Sequence, residues 1–301
     1  MELQKIYRIL FYNKPFDIDD DELNRQIMDG FELTTERKYM EFAPAIIFYM
    51  PSLCRDDIMK VRNKKKGGQI WIFWSTKCEV RYEWQFEPEI LSLFDVMATY
   101  KLDSDIPIPY FYPDYYGLFR KDPVPKTGFV NAFISGSSDH SNRLSYLKEL
   151  MSYINVHSYG KMLNNTILAN DEGYVTKERI MTRYMFTIAF ENSIAKDYVT
   201  DILFDPLVVG SVPVYLGAPN VEEFVPGDNC YINVDSFSSI KALADHLLEL
   251  EANEGYYKEY LRWKTRPFRL AFNLKANIVS RHPIRKICDM IKIKMQKVDK
   301  N

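Results

Sequence analysis

The chain has 301 residues, with 39 Lys plus Arg against 41 Asp plus Glu and a formal net charge of -2. This near-neutral balance gives no overall field for a polyanion, so nucleic acid is not an expected partner. Hydrophobic content of 47% and aromatic content of 15% exclude a disordered chain, and the length suits two domains of ordinary size.

Taken in chain order, Lys5 to Tyr12 reads as a first strand. Its apolar part, Ile6 to Tyr12, is interrupted by Arg8 and is too short for a signal peptide or a membrane span. Ala45–Met50 and Ile70–Trp74 read as buried strands. Asp56–Lys66 is a basic helical stretch that stops at Lys64-Lys65-Lys66-Gly67-Gly68, a solvated helix end and turn. Asp103–Pro113 is proline-rich and reads as an extended linker.

A second series begins near Thr127. Phe129–Ser135 is a strand, Ser135-Gly136-Ser137-Ser138 a small-residue turn, Arg143–Tyr153 a helix and Asn155–Ser158 a strand closed by Tyr159-Gly160-Lys161. Met185–Phe190 is an apolar strand that ends in the polar turn Glu191-Asn192-Ser193. A helix from about Tyr198 to Val209 follows, with Gly210 to end it, and Val212–Leu216 is the next strand. Helices over Ser238–Ala252 and Gly255–Lys264 complete the series.

Two buried strands joined by a helix imply a parallel sheet with a right-handed crossover. Ligands of such sheets bind beyond the carboxyl ends of the strands. That rule makes Glu191, Asn192 and the start of the next helix a candidate site, where free N–H groups favour an anion such as a diphosphate. The expected architecture is α/β, with two doubly wound, Rossmann-like domains facing a cleft. The expected divisions are 1–118, 119–275 and a basic amphipathic tail, 276–301.

In that tail Ile284, Ile287, Cys288 and Ile291 share one helical face. It can lie on an anionic membrane as a peripheral contact, or pack back onto the protein. Cys54, Cys78, Cys230 and Cys288 are scattered, with no metal-ligand spacing, and read as reduced thiols. No metal and no cofactor are called for.

The segment Tyr184–Asn220 contains FENS, DYVT and GSVPVYLGAPN, which together resemble the signature of the α-1,3/1,4-fucosyltransferases. FYMPSL at Phe48–Leu53, WSTKCEV at Trp74–Val80 and TYKLDSDIPIPY at Thr99–Tyr110 agree in the same order, so the resemblance spans roughly Ala45 to Phe268. Its short length and lack of a stem make the chain look like the soluble bacterial members, with a cytoplasmic or peripheral inner-membrane location expected. The resemblance implies a GT-B architecture, with the acceptor on the N-terminal domain and the GDP-sugar on the C-terminal one. It implies inverting transfer of L-fucose from GDP-fucose, as donor substrate, to a hydroxyl of a LacNAc-type glycan.

Residue by residue, the resemblance implies a donor-binding set of Lys161, Glu191, Asn192, Tyr198, Val199 and Thr200. Lys161 follows Gly160 where the family carries arginine or lysine. Asp201, a candidate catalytic residue together with Glu79, stands in place of a helix glutamate that contacts the sugar–ribose region. Two positions depart from the pattern. Ile202 occupies the place of a phosphate-binding lysine, and Lys77 occupies the place of the glutamate taken as the catalytic base. Glu79 is the nearest carboxylate and the candidate substitute base; on a strand it would share a face with Lys77. Glu83 is a weaker candidate, and Lys77 is itself a candidate phosphate contact. A lost charge-assisted hydrogen bond costs about 1.5–3 kcal/mol, and a lost base about 10²–10⁴-fold in rate. The alternative is therefore a catalytically impaired member that binds nucleotide or glycan without efficient turnover.

Overall fold

The computed structural model describes residues 7–14, 24, 26–111, 115–168, 170–279 and 281–298. The chain divides into two compact units, residues 1–109 with 278–301, and residues 110–277. The division falls before the expected 118. Tyr115 and Phe119 pack on each other and against Phe204 and Phe272 of the second unit.

The first unit is built on a seven-stranded sheet of order β2-β3-β1-β4-β5-β6-β7. The strands are β1 (Tyr7–Asn13), β2 (Ile27–Met28), β3 (Phe31–Thr34), β4 (Ala45–Tyr49), β5 (Ile70–Ser75), β6 (Val96–Thr99) and β7 (Ile106–Pro107). All pairings are parallel except β2 with β3. Lys5 and Ile6 of the expected first strand lie outside the described residues. So do Tyr112 and Pro113 of the expected linker, whose Ile106 and Pro107 instead form the edge strand β7. Proline is tolerated there because an edge strand leaves one side of its ladder unused. The β2–β3 hairpin turns on Asp29-Gly30, both at positive φ (51° and 90°), as a two-residue turn of right-handed twist requires.

Alternate residues send β4 and β5 to two cores, which is why both strands are continuous apolar runs. Ile46, Phe48, Trp71 and Phe73 face Ile58, Val61 and Ile90. Ile9, Ala45, Ile47, Ile70 and Ile72 face Ile284, Ile287, Cys288 and Ile291 of the Pro283–Val298 helix. The tail therefore packs back onto the sheet of the first unit. Of the two alternatives for its apolar face, packing back on the protein is the one found, since those four side chains are at most 4% exposed and are not available to a membrane. Among the described residues, no helix is long and apolar enough to cross a membrane.

The second unit holds a five-stranded, all-parallel sheet of order β12-β11-β10-β8-β9. Its strands are β8 (Gly128–Ala132), β9 (Val156–Ser158), β10 (Tyr184–Phe190), β11 (Val212–Leu216) and β12 (Ile232–Asn233). Helices Arg143–Leu150 and Ile240–Ala252 bury Leu147, Leu150, Leu243 and Leu247 against one face. Helices Tyr174–Met181 and Asp201–Val209 are neighbours elsewhere, both packed on β10. The sheet is thus wound on both sides, with every strand's carboxyl end on one edge. Gly160 is required at the end of β9, since a Cβ there would lie 2.2 Å from the Ile134 carbonyl oxygen.

Candidate active site

At the carboxyl edge of the second unit, the loop from Glu191 to Thr200 links β10 to the Asp201–Val209 helix. The helix starts three residues later than expected. Thr200 is its N-cap, its Oγ1 accepting from the Ile202 amide at 3.2 Å, and Tyr198 and Val199 form the approach. Gly210 ends the helix in the left-handed conformation, φ 73°, as expected.

Glu191 is fully buried. Its carboxylate accepts from the Thr200 amide at 2.7 Å and the Thr200 hydroxyl at 2.9 Å, so it ties the end of β10 to the helix cap. Burial pushes its pKa up to about 8, against the lowering effect of those two hydrogen bonds. With no exposed surface and both oxygens engaged, it supports the loop from beneath rather than offering a donor contact. Gly217 is small for the same reason, as a Cβ there would meet the Glu191 Cγ at 2.6 Å.

Asn192 is half-buried, and its Oδ1 accepts from the Ser193 hydroxyl at 3.0 Å and the Tyr198 hydroxyl at 3.4 Å. Tyr198 and Val199 are almost wholly buried. Asp197, at φ 66°, is locked by Asn220 through two bonds of 2.9 and 2.8 Å. Lys161 is exposed, and its amide donates to Ser135 Oγ at 3.4 Å. Asp201 is half-buried in the first helical turn, 3.8 Å from Lys177 Nζ. The structure thus groups Lys161, Glu191, Asn192, Tyr198, Val199, Thr200 and Asp201 at one sheet edge, with Ile202 beside them.

Sequence reasoning missed Arg143. Its guanidinium is buried beneath the 135–142 loop and donates to the carbonyls of Phe190, Gly136 and Ser138 at 3.1, 3.1 and 3.2 Å. Nε of Arg143 and Oγ of Ser138 are both buried polar atoms without a protein partner. An arginine opening a helix after a run of small residues is the signal that could have drawn notice to it.

Lys77 and Glu79 lie at the carboxyl edge of the first unit, beyond β5. They are not on a strand, which corrects the shared-face expectation. Lys77 sits in a bend where its amide donates to Ser75 Oγ at 3.2 Å, and Glu79 opens a 3-10 turn, Glu79–Arg81. Glu79 is half-buried and held by Lys101 Nζ at 2.8 Å and by the Tyr100 hydroxyl. Burial raises its pKa, but those hydrogen bonds outweigh it and leave the carboxyl below its ordinary range. Glu83 is exposed in the next turn.

The fucosyltransferase N-terminal region matches residues 4–111, and the C-terminal region of glycosyltransferase family 10 (fucosyltransferase) matches residues 123–300. The chain belongs to glycosyltransferase family 10, the fucosyltransferases. A GDP-fucose protein O-fucosyltransferase 3 of Xenopus laevis is 31% identical over 86% of the chain, and its Homo sapiens counterpart 27% identical over 86%. The chain spans 58% and 57% of those relatives' length. A solved α1,3-fucosyltransferase with GDP-fucose superposes with a TM-score of 0.61 at 16% identity, over 91% of this chain and 89% of that one. A structure of an α1,3-fucosyltransferase with GDP gives 0.57 at 16% identity, over 93% and 92%. The two parallel-sheet domains are those of the GT-B class.

Proposed function

We propose that this family-10 chain transfers L-fucose from GDP-fucose to an acceptor hydroxyl with inversion, its donor seated on the second unit. The observation that carries this reading is the single sheet edge on which the 135–142 loop, Lys161, Asn192, Tyr198 and the start of the 201–209 helix converge. That edge offers a helix start to the diphosphate and carries Lys161 as an exposed cation. Buried Arg143 adds positive charge under the 135–142 loop. Glu79 is the proposed proton acceptor, and its depressed pKa keeps it ionised at neutral pH while weakening it as a base. Lys77 is the proposed second phosphate contact, and Asp201 the carboxylate toward the ribose and sugar hydroxyls.

For the acceptor, the sequence resemblance favours a LacNAc-type glycan. A second reading, the hydroxyl of a protein side chain, is favoured by the protein O-fucosyltransferase relatives, which match at 31% identity where the α1,3-fucosyltransferase structures match at 16%. A third, binding without efficient turnover, rests on Ile202 and Lys77. The test is fucose transfer from GDP-fucose to LacNAc and, separately, to folded protein domains bearing Ser and Thr, with GDP binding followed by calorimetry. Transfer to one acceptor class selects between the first two readings. GDP binding with no release of fucose to any acceptor or to water selects the third, and absence of GDP binding removes the donor-site assignment.

A further inference from the structure

Asp201 and Asp205 lie four residues apart on one face of the 201–209 helix, where two carboxylates disfavour each other. Both meet the 174–181 helix. Lys177 Nζ is 2.8 Å from Asp205 Oδ2 and 3.8 Å from Asp201 Oδ2. The other oxygen of Asp205 accepts from the Tyr174 hydroxyl at 3.1 Å. Asp205 is 1% exposed, so it is an anchor with no route to solvent, whereas Asp201 is half-buried and held only at the longer distance. A lysine pinned by a buried carboxylate has little freedom to wander, and its charge stands fixed beside the first turn. That turn carries no cation of its own, because Ile202 occupies the next position.

We propose that Lys177 is a positioning residue for the transfer reaction: anchored on Asp205, it orients the Asp201 carboxylate toward the hydroxyls of the bound GDP-sugar. The inference rests on the donor-site reading above. Two consequences belong to one geometry. The Asp201 carboxylate is drawn to the side of the 174–181 helix, leaving its other oxygen to accept from a ribose or sugar hydroxyl. The ammonium also offsets carboxylate charge that would otherwise repel the diphosphate at the helix start. The arrangement keeps an acidic residue useful at a site that must bind an anion.

Lys177→Met alone strands Asp205 in the interior, so the test uses Lys177→Met with Asp205→Asn, which removes the buried charge as well as its partner. The double variant is expected to melt cooperatively and to raise the KM for GDP-fucose about tenfold, with a much smaller fall in kcat. Adding Asp201→Asn to the double variant should change KM by less than about twofold, since Asp201 has already lost its orientation. Lys177→Arg in the natural background should keep KM within about threefold, because a cation on the same anchor preserves the pairing. A folded double variant with the KM of the natural chain overturns the proposal. Failure of the natural chain to bind GDP overturns the donor-site reading and this inference with it, whereas normal GDP binding with an indifferent double variant overturns this inference alone.

Discussion

At the residue scale, two glutamates show how environment divides the roles of one side chain. Glu191 is buried and its pKa stands at about 8, above the ordinary 4.5. Below pH 4.5 folded and unfolded chains both hold this proton. Between 4.5 and 8 only the folded chain keeps it, so this group's contribution to stability is present in acid and is lost as the pH rises through about 8. Glu191→Gln should therefore gain stability relative to the natural chain as pH is raised from about 5 to 9, read as a difference in melting temperature; a pH-independent difference would mean the carboxyl is ionised throughout. Glu79 is the opposite case, held ionised by Lys101 and Tyr100. Glu79→Gln should lower fucose transfer at least about tenfold while leaving GDP affinity intact, and undiminished transfer would clear it of the role of base. Ile202→Lys should tighten GDP binding by about tenfold if the diphosphate runs along that helix start; calorimetry showing no gain would place the phosphate contacts elsewhere.

The element at the centre of the candidate site is the loop and helix start from Glu191 to Asp201. Thr200 satisfies the Ile202 amide with its hydroxyl oxygen and donates its own amide to Glu191, so one residue joins cap, loop and strand end. Thr200→Ala should cost about 1–2 kcal/mol, the upper part of the range for N-caps, because it also deprives buried Glu191 of a partner. Thr200→Ser should restore most of the loss, and denaturant unfolding of the two variants would compare them. Much of this element was legible in the sequence: the strand, the polar turn and the Gly210 stop all stand where periodicity and capping rules put them. The helix start was not, because Tyr198 and Val199 continue the apolar pattern. Only the Thr200–Ile202 bond shows that the first helical turn begins after them.

At the scale of the whole molecule, each unit covers its sheet on both faces, and the first recruits the distant Pro283–Val298 helix to do so. Ile287 is 1% exposed in that core. Ile287→Glu should destabilise the protein by about 3 kcal/mol or more, since it buries an unpaired carboxylate as well as removing apolar contact. Deleting residues 283–301 should lower the melting temperature and expose apolar surface to a fluorescent hydrophobic dye. An unchanged melting curve would show that this helix is dispensable to the fold.

The amino-acid sequence by itself determined the local architecture: apolar runs too short for helices, polar turns after them and glycine at Gly160 and Gly210. From those followed parallel strands and a candidate site at the sheet edge, while the resemblance rests separately on the motifs FENS, DYVT and GSVPVYLGAPN. Strands of two residues, such as β2, β7 and β12, escaped it, since they exist only by pairing with longer neighbours. Tertiary structure alone decided which side chains are buried and which partners they meet. The apolar stripe of the last helix suits a lipid surface or a sheet equally, and only the sheet shows which one buries it. Glu191 reads as a polar turn residue until burial makes it a scaffold. Lys177, Asp201 and Asp205 come from two helices that no sequence pattern places side by side, because an ion pair is a property of packing and not of order along the chain.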